Sequence, residues 1–283
     1  MRLIMTLLLR DNADILRANL DYHFAQGVDY VIATDNLSKD KTVDILDEYS
    51  ERGLLHVIHE KSDTYEQGRW VTRMARLAAE EYEADWIIHN DADEFWWPRC
   101  DGTLKEAFRG LSPEYNVVTA KRTNFVYRKP CRHLRGKPFF DSMIFRDRIS
   151  LNPIGKPLHA KVAHRSHANA VLPTGNYCVS NIGPQTICED VFEIFHFPIR
   201  TADQFLEKIR CGGAAVSNHP GLHARKVGTW ETLFEEFKES DKFQSYMTQH
   251  TYSLGRIIRE MFKGNLIRDT RLRDFMRMLR AVP

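Results

Sequence analysis

Asp91 and Asp93 follow the apolar run Trp86-Ile87-Ile88, within the string His89-Asn90-Asp91-Ala92-Asp93-Glu94-Phe95. In extended chain, side chains at i and i+2 project to the same side. Two carboxylates so placed repel each other, and a divalent cation relieves the repulsion. Oxygen donors of this kind suit Mg2+ or Mn2+, which complete their shells with water and phosphate oxygens. The competing reading is a solvated loop with helix-capping acids. His196 ends a second apolar run, Phe192 to Phe197, just before Pro198. Imidazole is a good third ligand for Mn2+ beside carboxylates; alone, such a residue is more often a satisfied core histidine. Arg10, Arg69, Arg73 and Arg200 supply cations of the kind a departing diphosphate needs, although each taken singly reads as a solvated surface residue. No Gly-rich phosphate loop occurs, so metal and cations would have to hold any phosphate. An EF-hand fails because Trp96 occupies its sixth position, where glycine is required.

The elements that position these residues alternate over the first hundred positions. Leu3 to Leu9, Tyr30 to Ala33, Leu54 to Ile58 and Trp86 to Ile88 read as strands. The second breaks at Thr34-Asp35-Asn36. Helix spacing runs over Ala13 to Ala25, from Asp40 to Tyr49 and from Arg69 to Tyr82, with Gly27 and Gly53 as stops. Such alternation predicts βαβ units and an α/β fold with a mostly parallel sheet. Ligands bind outside the carboxyl ends of strands in these sheets. Arg10-Asp11-Asn12, Asp35-Asn36, Glu60 and Asp91/Asp93 all follow strands, which predicts one shared site. Further on, Val117 to Ala120, His159 to Ala163 and Val191 to Phe197 read as strands. Phe205 and Ile209 predict a helix stopped by Gly212-Gly213. Trp230 to Phe237, Leu254 to Phe262 and Leu272 to Leu279 predict more helices.

Length and composition bound the rest. The 283 residues are 43% hydrophobic and 28% charged with a net charge of +2, which excludes disorder, fibrous repeats and bulk electrostatic binding of nucleic acid. The five cysteines, Cys100, Cys131, Cys178, Cys188 and Cys211, form no metal or disulfide spacing and are expected as buried reduced thiols of a cytoplasmic protein. The apolar N-terminal run stops at Arg10-Asp11 and is too short for a signal peptide or a membrane span.

Asp35-Asn36-Leu37-Ser38-Lys39-Asp40-Lys41-Thr42 resembles the D-N-x-S-x-D-x-T segment of glycosyltransferase family two and its bacterial relatives. Arg10 to Leu16 resembles the segment after their first strand, and His89 to Phe95 their metal motif. His196-Phe197-Pro198-Ile199-Arg200-Thr201 with Gln204, Phe205 and Lys208 is similar to the segment closing the catalytic core in one branch. The resemblance covers about residues 1–215. It implies a GT-A fold, a nucleotide-sugar donor and an inverting transfer. The implied organisation is a catalytic core over 1–200, with a nucleotide-sugar half at 1–125 and an acceptor half at 126–200, and a helical extension over 201–283 packed on that core.

Carried over by residue, the resemblance implies that Asp35 contacts the nucleotide base, with Asn12 and Asn36 nearby. Gln67 and Arg73 would line the donor pocket. Asp91 would lie toward ribose and metal, Asp93 and His196 would ligate the Mn2+ or Mg2+, and Arg200 would contact the pyrophosphate. Asn12 stands where relatives often carry Glu, and Gly175-Asn176-Tyr177 stands where they tend to have Gly-Asn-His. An inverting transfer needs a general base. Asp190 has about the separation from Asp93 seen in related enzymes; Glu94 and Asp141 compete, and Asp190 also reads as a turn residue. The alternatives are a sugar-phosphate nucleotidyltransferase and a non-enzymatic carbohydrate-binding protein. Trp96-Trp97, Tyr127 and Phe139-Phe140 suit either sugar stacking or packing. Residues 256–283 hold eight Lys or Arg against three acids. With its stripe of Leu272, Phe275, Met276 and Leu279, this stretch reads as a docked helix. Its second reading is a basic helix on an anionic membrane, serving a glycan or lipid-linked acceptor at the inner membrane face.

Overall fold

The computed structural model describes residues 1–64, 66–129, 136–218 and 229–281; Cys131 lies outside them. The elements in chain order are β1 (Leu3–Leu9), α1 (Ala13–Ala25), β2 (Tyr30–Asn36), α2 (Thr42–Glu51), β3 (Leu55–Glu60), α3 (Gln67–Glu80) and β4 (Trp86–Asp91). Next come β5 (Glu94–Pro98), α4 (Leu104–Arg109), β6 (Val117–Asn124), α5 (Phe139–Ser142), β7 (Phe145–Asp147), β8 (Lys161–Arg165), β9 (Ile187–Cys188) and β10 (Phe192–His196). The remainder is α6 (Ala202–Ser217), α7 (Thr229–Glu236), α8 (Ser240–His250), α9 (Leu254–Phe262), β11 (Leu266–Arg268) and α10 (Arg271–Ala281). They fall into two compact units, Met1–Arg122 with His159–Phe195, and Thr123–Leu158 with His196–Pro283.

The first unit is α/β. Its sheet runs β3-β2-β1-β4-β8-β6-β10-β5, with β9 on β6. The β3-β2-β1-β4 half is parallel. β8 is antiparallel to β4 and β6, and β9 is parallel to β6. The chain moves from β1 to β2 and β3 on one side, then crosses to β4 on the other. That reversal of strand order falls between β1 and β4, and sheets of this kind bind ligands at the carboxyl ends there, where Arg10 and Asp91 stand. Helix spacing puts Trp70, Val71, Met74, Ala75 and Ala78 of α3 on one buried face. Val71, Met74, Ala75 and Ala78 pack in one cluster with Ile4, Ile32, Ile87 and Val162 of the sheet. β2 continues through Asp35 and Asn36 rather than breaking at Thr34, because it is paired on both sides, Asp35 with Leu9 and Asn36 with Glu60.

The second unit packs α6, α7 and α8 around Phe205, Ile209, Leu233, Phe243 and Met247. Gly212-Gly213 does not stop α6, which runs to Ser217. These glycines admit α7 instead: a Cβ on Gly213 would stand 2.3 Å from the Phe234 ring, and one on Gly212 would stand 3.5 Å from Trp230. A separate two-stranded sheet pairs β7 with β11 antiparallel. α10 buries Leu272 and Met276 and is tied to α5 by Arg277 and Asp141 at 2.6 Å. The stripe on α10 is therefore a docking face, not a free one.

Among the described residues no helix is long and apolar enough to cross a membrane. Cys188 is buried, but Cys100 and Cys178 are exposed and Cys211 is half-buried, so the expectation of buried thiols holds for one of the four described. Cys100 follows β5 in a turn and Cys178 lies in an irregular loop, where nothing covers a small side chain. The aromatic candidates are packing groups. Trp96 and Phe140 are buried, Trp97 stacks on Phe195 at 5.1 Å, Phe139 meets Phe197 at 4.9 Å, and Tyr127 joins the α6–α8 core.

Candidate active site

The loops leaving β1 and β2 are clasped together. Asp11 adopts a left-handed backbone, with φ at 53°. Its Oδ1 accepts from the Lys39 amide at 2.6 Å and the Asp40 amide at 3.3 Å, and its own amide donates to Ser38 Oγ at 2.9 Å. The Asn12 amide donates to Thr42 Oγ1 at 2.9 Å, and the Ala13 amide to Asp40 Oδ2 at 3.0 Å. Ser38, Asp40 and Thr42 therefore satisfy backbone donors of the neighbouring loop and the first turn of α1. Asp40 also accepts from the Thr42 amide at the start of α2, at 2.9 Å.

Asp35 is buried at the carboxyl end of β2. Its Oδ2 lies 3.9 Å from His59 Nδ1, and its Oδ1 has no hydrogen-bond partner. A buried carboxylate oxygen left unpaired is costly, which makes this one a candidate acceptor. Asn36 instead braces the loop after β3, donating to the Ser62 carbonyl at 2.8 Å. Asn12 Oδ1 receives the Arg10 amide at 3.3 Å. Arg10 pairs with Asp63 at 2.7 Å, Arg73 with Glu60 at 3.3 Å and Arg69 with Glu66 at 2.8 Å. Gln67 Oε1 accepts from the Gly175 amide at 3.0 Å. Gly68 packs so closely on the 172–174 backbone that a Cβ there would stand 2.9 Å from the Leu172 carbonyl oxygen. Together these contacts fix the Gly175-Asn176-Tyr177 loop against the start of α3.

The acidic turn carries a cation that sequence reasoning missed. Lys161 is 1% exposed, and its Nζ lies 2.6 Å from Asp91 Oδ2 and 3.6 Å from Glu94 Oε2. Glu94 is 0% exposed and also meets Arg122 at 3.3 Å. Tyr177 lies against both cations, its ring 5.5 Å from the Arg122 guanidinium and 5.7 Å from Lys161 Nζ. Burial pushes the Glu94 carboxyl up to about 7; Lys161 pulls it down and Asp91 pushes it further up. Burial would lower Lys161, but Asp91 and Glu94 more than offset that and hold it above the ordinary lysine value. The pairing arises from register. β8 runs antiparallel to β4 with Ala163 opposite Ile88, which brings Lys161 to the Asp91 end of β4.

The turn is also braced from below. Asn19, buried on α1, donates to the carbonyls of Ala92 at 3.0 Å and Glu94 at 2.7 Å, and receives Asn90 Nδ2 at 3.2 Å. His23 Nδ1 donates to the Asn19 carbonyl at 2.8 Å, and its Nε2 accepts from the Trp96 amide at 3.4 Å. Burial lowers His23 to about 4, so it stays neutral with that tautomer. Asn19→Ala strands two buried carbonyls and is expected to destabilise the protein by about 1–3 kcal/mol. A thermal melt checks this, and an unchanged melting temperature would show that the turn does not lean on Asn19. His89 and His164 stack under the same strands with ring centroids 5.0 Å apart, and burial pushes both below the ordinary histidine value.

Asp190 stands apart from that cluster. It is exposed, with its side chain 58% accessible, and pairs with Lys121 at 3.2 Å and Arg99 at 3.7 Å. Lys121 and Arg122 are neighbours on β6, so alternation sends them to opposite faces. The structure thus gathers Asp91 and Glu94 around Lys161 and Arg122, and leaves Asp190 on the Lys121 face. In the second unit, Asp141 is bound by Arg277. Arg200 is buried and donates to the Phe197 carbonyl at 3.0 Å. His196 Nδ1 meets Asn124 Oδ1 at 2.7 Å, and Asn124 Nδ2 donates to the Leu151 carbonyl at 2.8 Å, which fixes the amide's orientation. His196 therefore carries its proton on Nδ1. Carboxylate and imidazole are donor types that Mn2+ accepts; Asp91 and Asp93 lie in the first unit and His196 in the second. Among the described residues no three carboxylate, imidazole or thiol groups already converge as a metal cluster.

Among solved structures, the chain is similar to S. aureus TarS 1–349 in complex with UDP-GlcNAc, at 12% identity over 87% of this chain and 79% of that one, with a TM-score of 0.45. It is similar to glucosyl-3-phosphoglycerate synthase from Mycobacterium tuberculosis, in complex with Mn2+, UDP and glucosyl-3-phosphoglycerate, at 16% identity over 58% of this chain and 57% of that one, with a TM-score of 0.32. HddC from Yersinia pseudotuberculosis shares 12% identity over 74% of this chain and 99% of its own, with a TM-score of 0.38. No curated protein matches the sequence. The family model for glycosyltransferase family 92, rather than family two, matches residues 6–147. That span is half of the chain and runs from within β1 to the end of β7, with the clasped loops, Asp35 and the Asp91-Ala92-Asp93 turn. The chain belongs to glycosyltransferase family 92.

Proposed function

We propose that this glycosyltransferase moves a sugar from a UDP-linked donor to a hydroxyl of a glycan or lipid-linked acceptor, with inversion at the anomeric carbon and dependence on Mn2+ or Mg2+. The observation that carries the reading is Asp35, a buried carboxylate with an unpartnered oxygen at the same sheet edge as Asp91. Uracil presents an imide N–H that such an oxygen can accept, whereas cytosine presents a ring nitrogen acceptor that it would repel. Asn12, Asn36, Arg10, Gln67 and Arg73 shape the rim through the loop contacts above.

Asp91 and Asp93 are the residues that would hold the ion, whose chemistry is to neutralise charge on the departing diphosphate. Lys161 supplies cationic charge of the same sign. In the transfer, the acceptor oxygen bonds to the anomeric carbon as the bond from that carbon to the diphosphate oxygen breaks. The electron pair leaves with UDP, and the acceptor proton passes to a carboxylate. Of the three candidate bases, Glu94 is sealed and Asp141 is bound by Arg277. Asp190 is exposed but stands on the Lys121 face, apart from the Asp91 and Glu94 cluster, so the role is not assigned to it.

Melting temperatures with UDP, GDP and CMP, with and without Mn2+, test the reading. UDP at about 100 times its Kd should add about 2.7 kcal/mol of stability, and CMP should add none. Asp35→Ala should weaken UDP about 10- to 100-fold, the loss of a hydrogen bond to a charged group. Asp93→Ala should lose the Mn2+-dependent part of the shift. No shift with any nucleotide, or an undiminished UDP shift in Asp35→Ala, would overturn it.

A further inference from the structure

α9 carries two apolar faces, and only one is used. Ile257 is buried against Val126 and Leu266. Leu254, Ile258, Met261 and Phe262 fall at i, i+4, i+7 and i+8, one face of the helix, and all four are exposed; Phe262 is 89% accessible. Ile149, 78% accessible, joins this end of the helix, because the neighbouring Arg148 amide donates to the carbonyl of Asn265, three residues past Phe262. Scattered exposed apolar residues are ordinary, but a contiguous row ending in an almost bare phenylalanine marks an interaction surface.

The charge around that row selects the partner. Exposed Arg148, Arg259, Lys263 and Arg268 flank it. The nearby acid, Glu260, is only 19% accessible and is bound by Lys263 and Asn265. An apolar stripe edged with cations matches the boundary of an anionic bilayer, where side chains enter the acyl region and Arg and Lys meet lipid phosphates. α9 and its turn thus carry both signals that interfacial binding needs, apolar insertion and basic attraction.

We propose that α9, with Ile149, docks this protein on an anionic lipid surface, with Leu254, Ile258, Met261 and Phe262 inserted. The inference is independent of the donor reading, since it uses none of the residues placed there. The test is sedimentation of the full chain with phosphatidylcholine vesicles containing phosphatidylglycerol, against phosphatidylcholine alone. Binding is expected only to the anionic vesicles and should fall steeply with added salt. Ile258→Ser with Phe262→Ser should weaken it at least about tenfold, while UDP-induced melting shifts stay as in the wild type. Phe262→Trp should show a blue-shifted indole emission component on anionic vesicles alone. Absence of sedimentation at low salt, or full binding by the double variant, would overturn the proposal. So would a concentration-dependent dimer that the double variant abolishes, since a second copy would then own the face.

Discussion

Lys161→Met is expected to destabilise the protein by about 3–5 kcal/mol at pH 8, the usual cost of removing one partner from a buried ion cluster. Methionine fills much of the same volume, so the loss is electrostatic. Glu94 is left with Arg122 as its remaining cation, and Asp91 with no counter-charge from β8. The pH dependence identifies the cause. Glu94 is raised to about 7 by burial against the pull of Lys161. A carboxyl raised in the fold contributes stability that is present below its unfolded value and lost as pH rises through the folded one. Without Lys161 the folded value climbs further, so the variant keeps losing stability above pH 7, where the wild type has finished losing it. The gap between the proteins should therefore be wide at pH 8 and narrow at pH 5.5, where Glu94 is mostly neutral in both. Melts at the two values decide it. A gap of equal size at both would move the effect away from Glu94.

Asp190→Asn is expected to leave kcat within about threefold of the wild type, because Asp190 stands on the Lys121 face, apart from Asp91 and Glu94. The substitution is also mild. Asp190 sits at φ 63°, a left-handed backbone that Asn tolerates. Its pairs with Lys121 and Arg99 are exposed and contribute little to stability. UDP-induced melting shifts and turnover should therefore both match the wild type. A kcat lowered about 10²-fold or more would return the general-base role to Asp190.

The parallel half of the sheet was legible because each strand is a short apolar run, each helix is amphipathic, and the polar residues come straight after the strands. Asp35 and Asn36 looked like the break of a strand but close it, since polarity at a strand end does not end pairing when both neighbours continue. Gly212-Gly213 read as a stop. Local propensity could not show that Trp230 and Phe234 need that space. Lys161 was invisible for a similar reason: its meaning arises only when an antiparallel strand seventy residues downstream is placed beside β4. Asn19 and His23 left a weaker trace, as polar side chains at i and i+4 on the apolar face of α1. His196 was readable as a ligand type, but its tautomer depends on Asn124, seventy-two residues away.

The clasp between the loops after β1 and β2 constrains how this enzyme can change. Asp11, Ser38, Asp40 and Thr42 each fill a bond the other loop needs, so neither loop can lengthen, shorten or swap a residue alone without exposing backbone donors in its neighbour. Evolution must edit them in concert or leave them as they are. Divergence in donor preference within such a lineage should accumulate where no such reciprocity binds the chain.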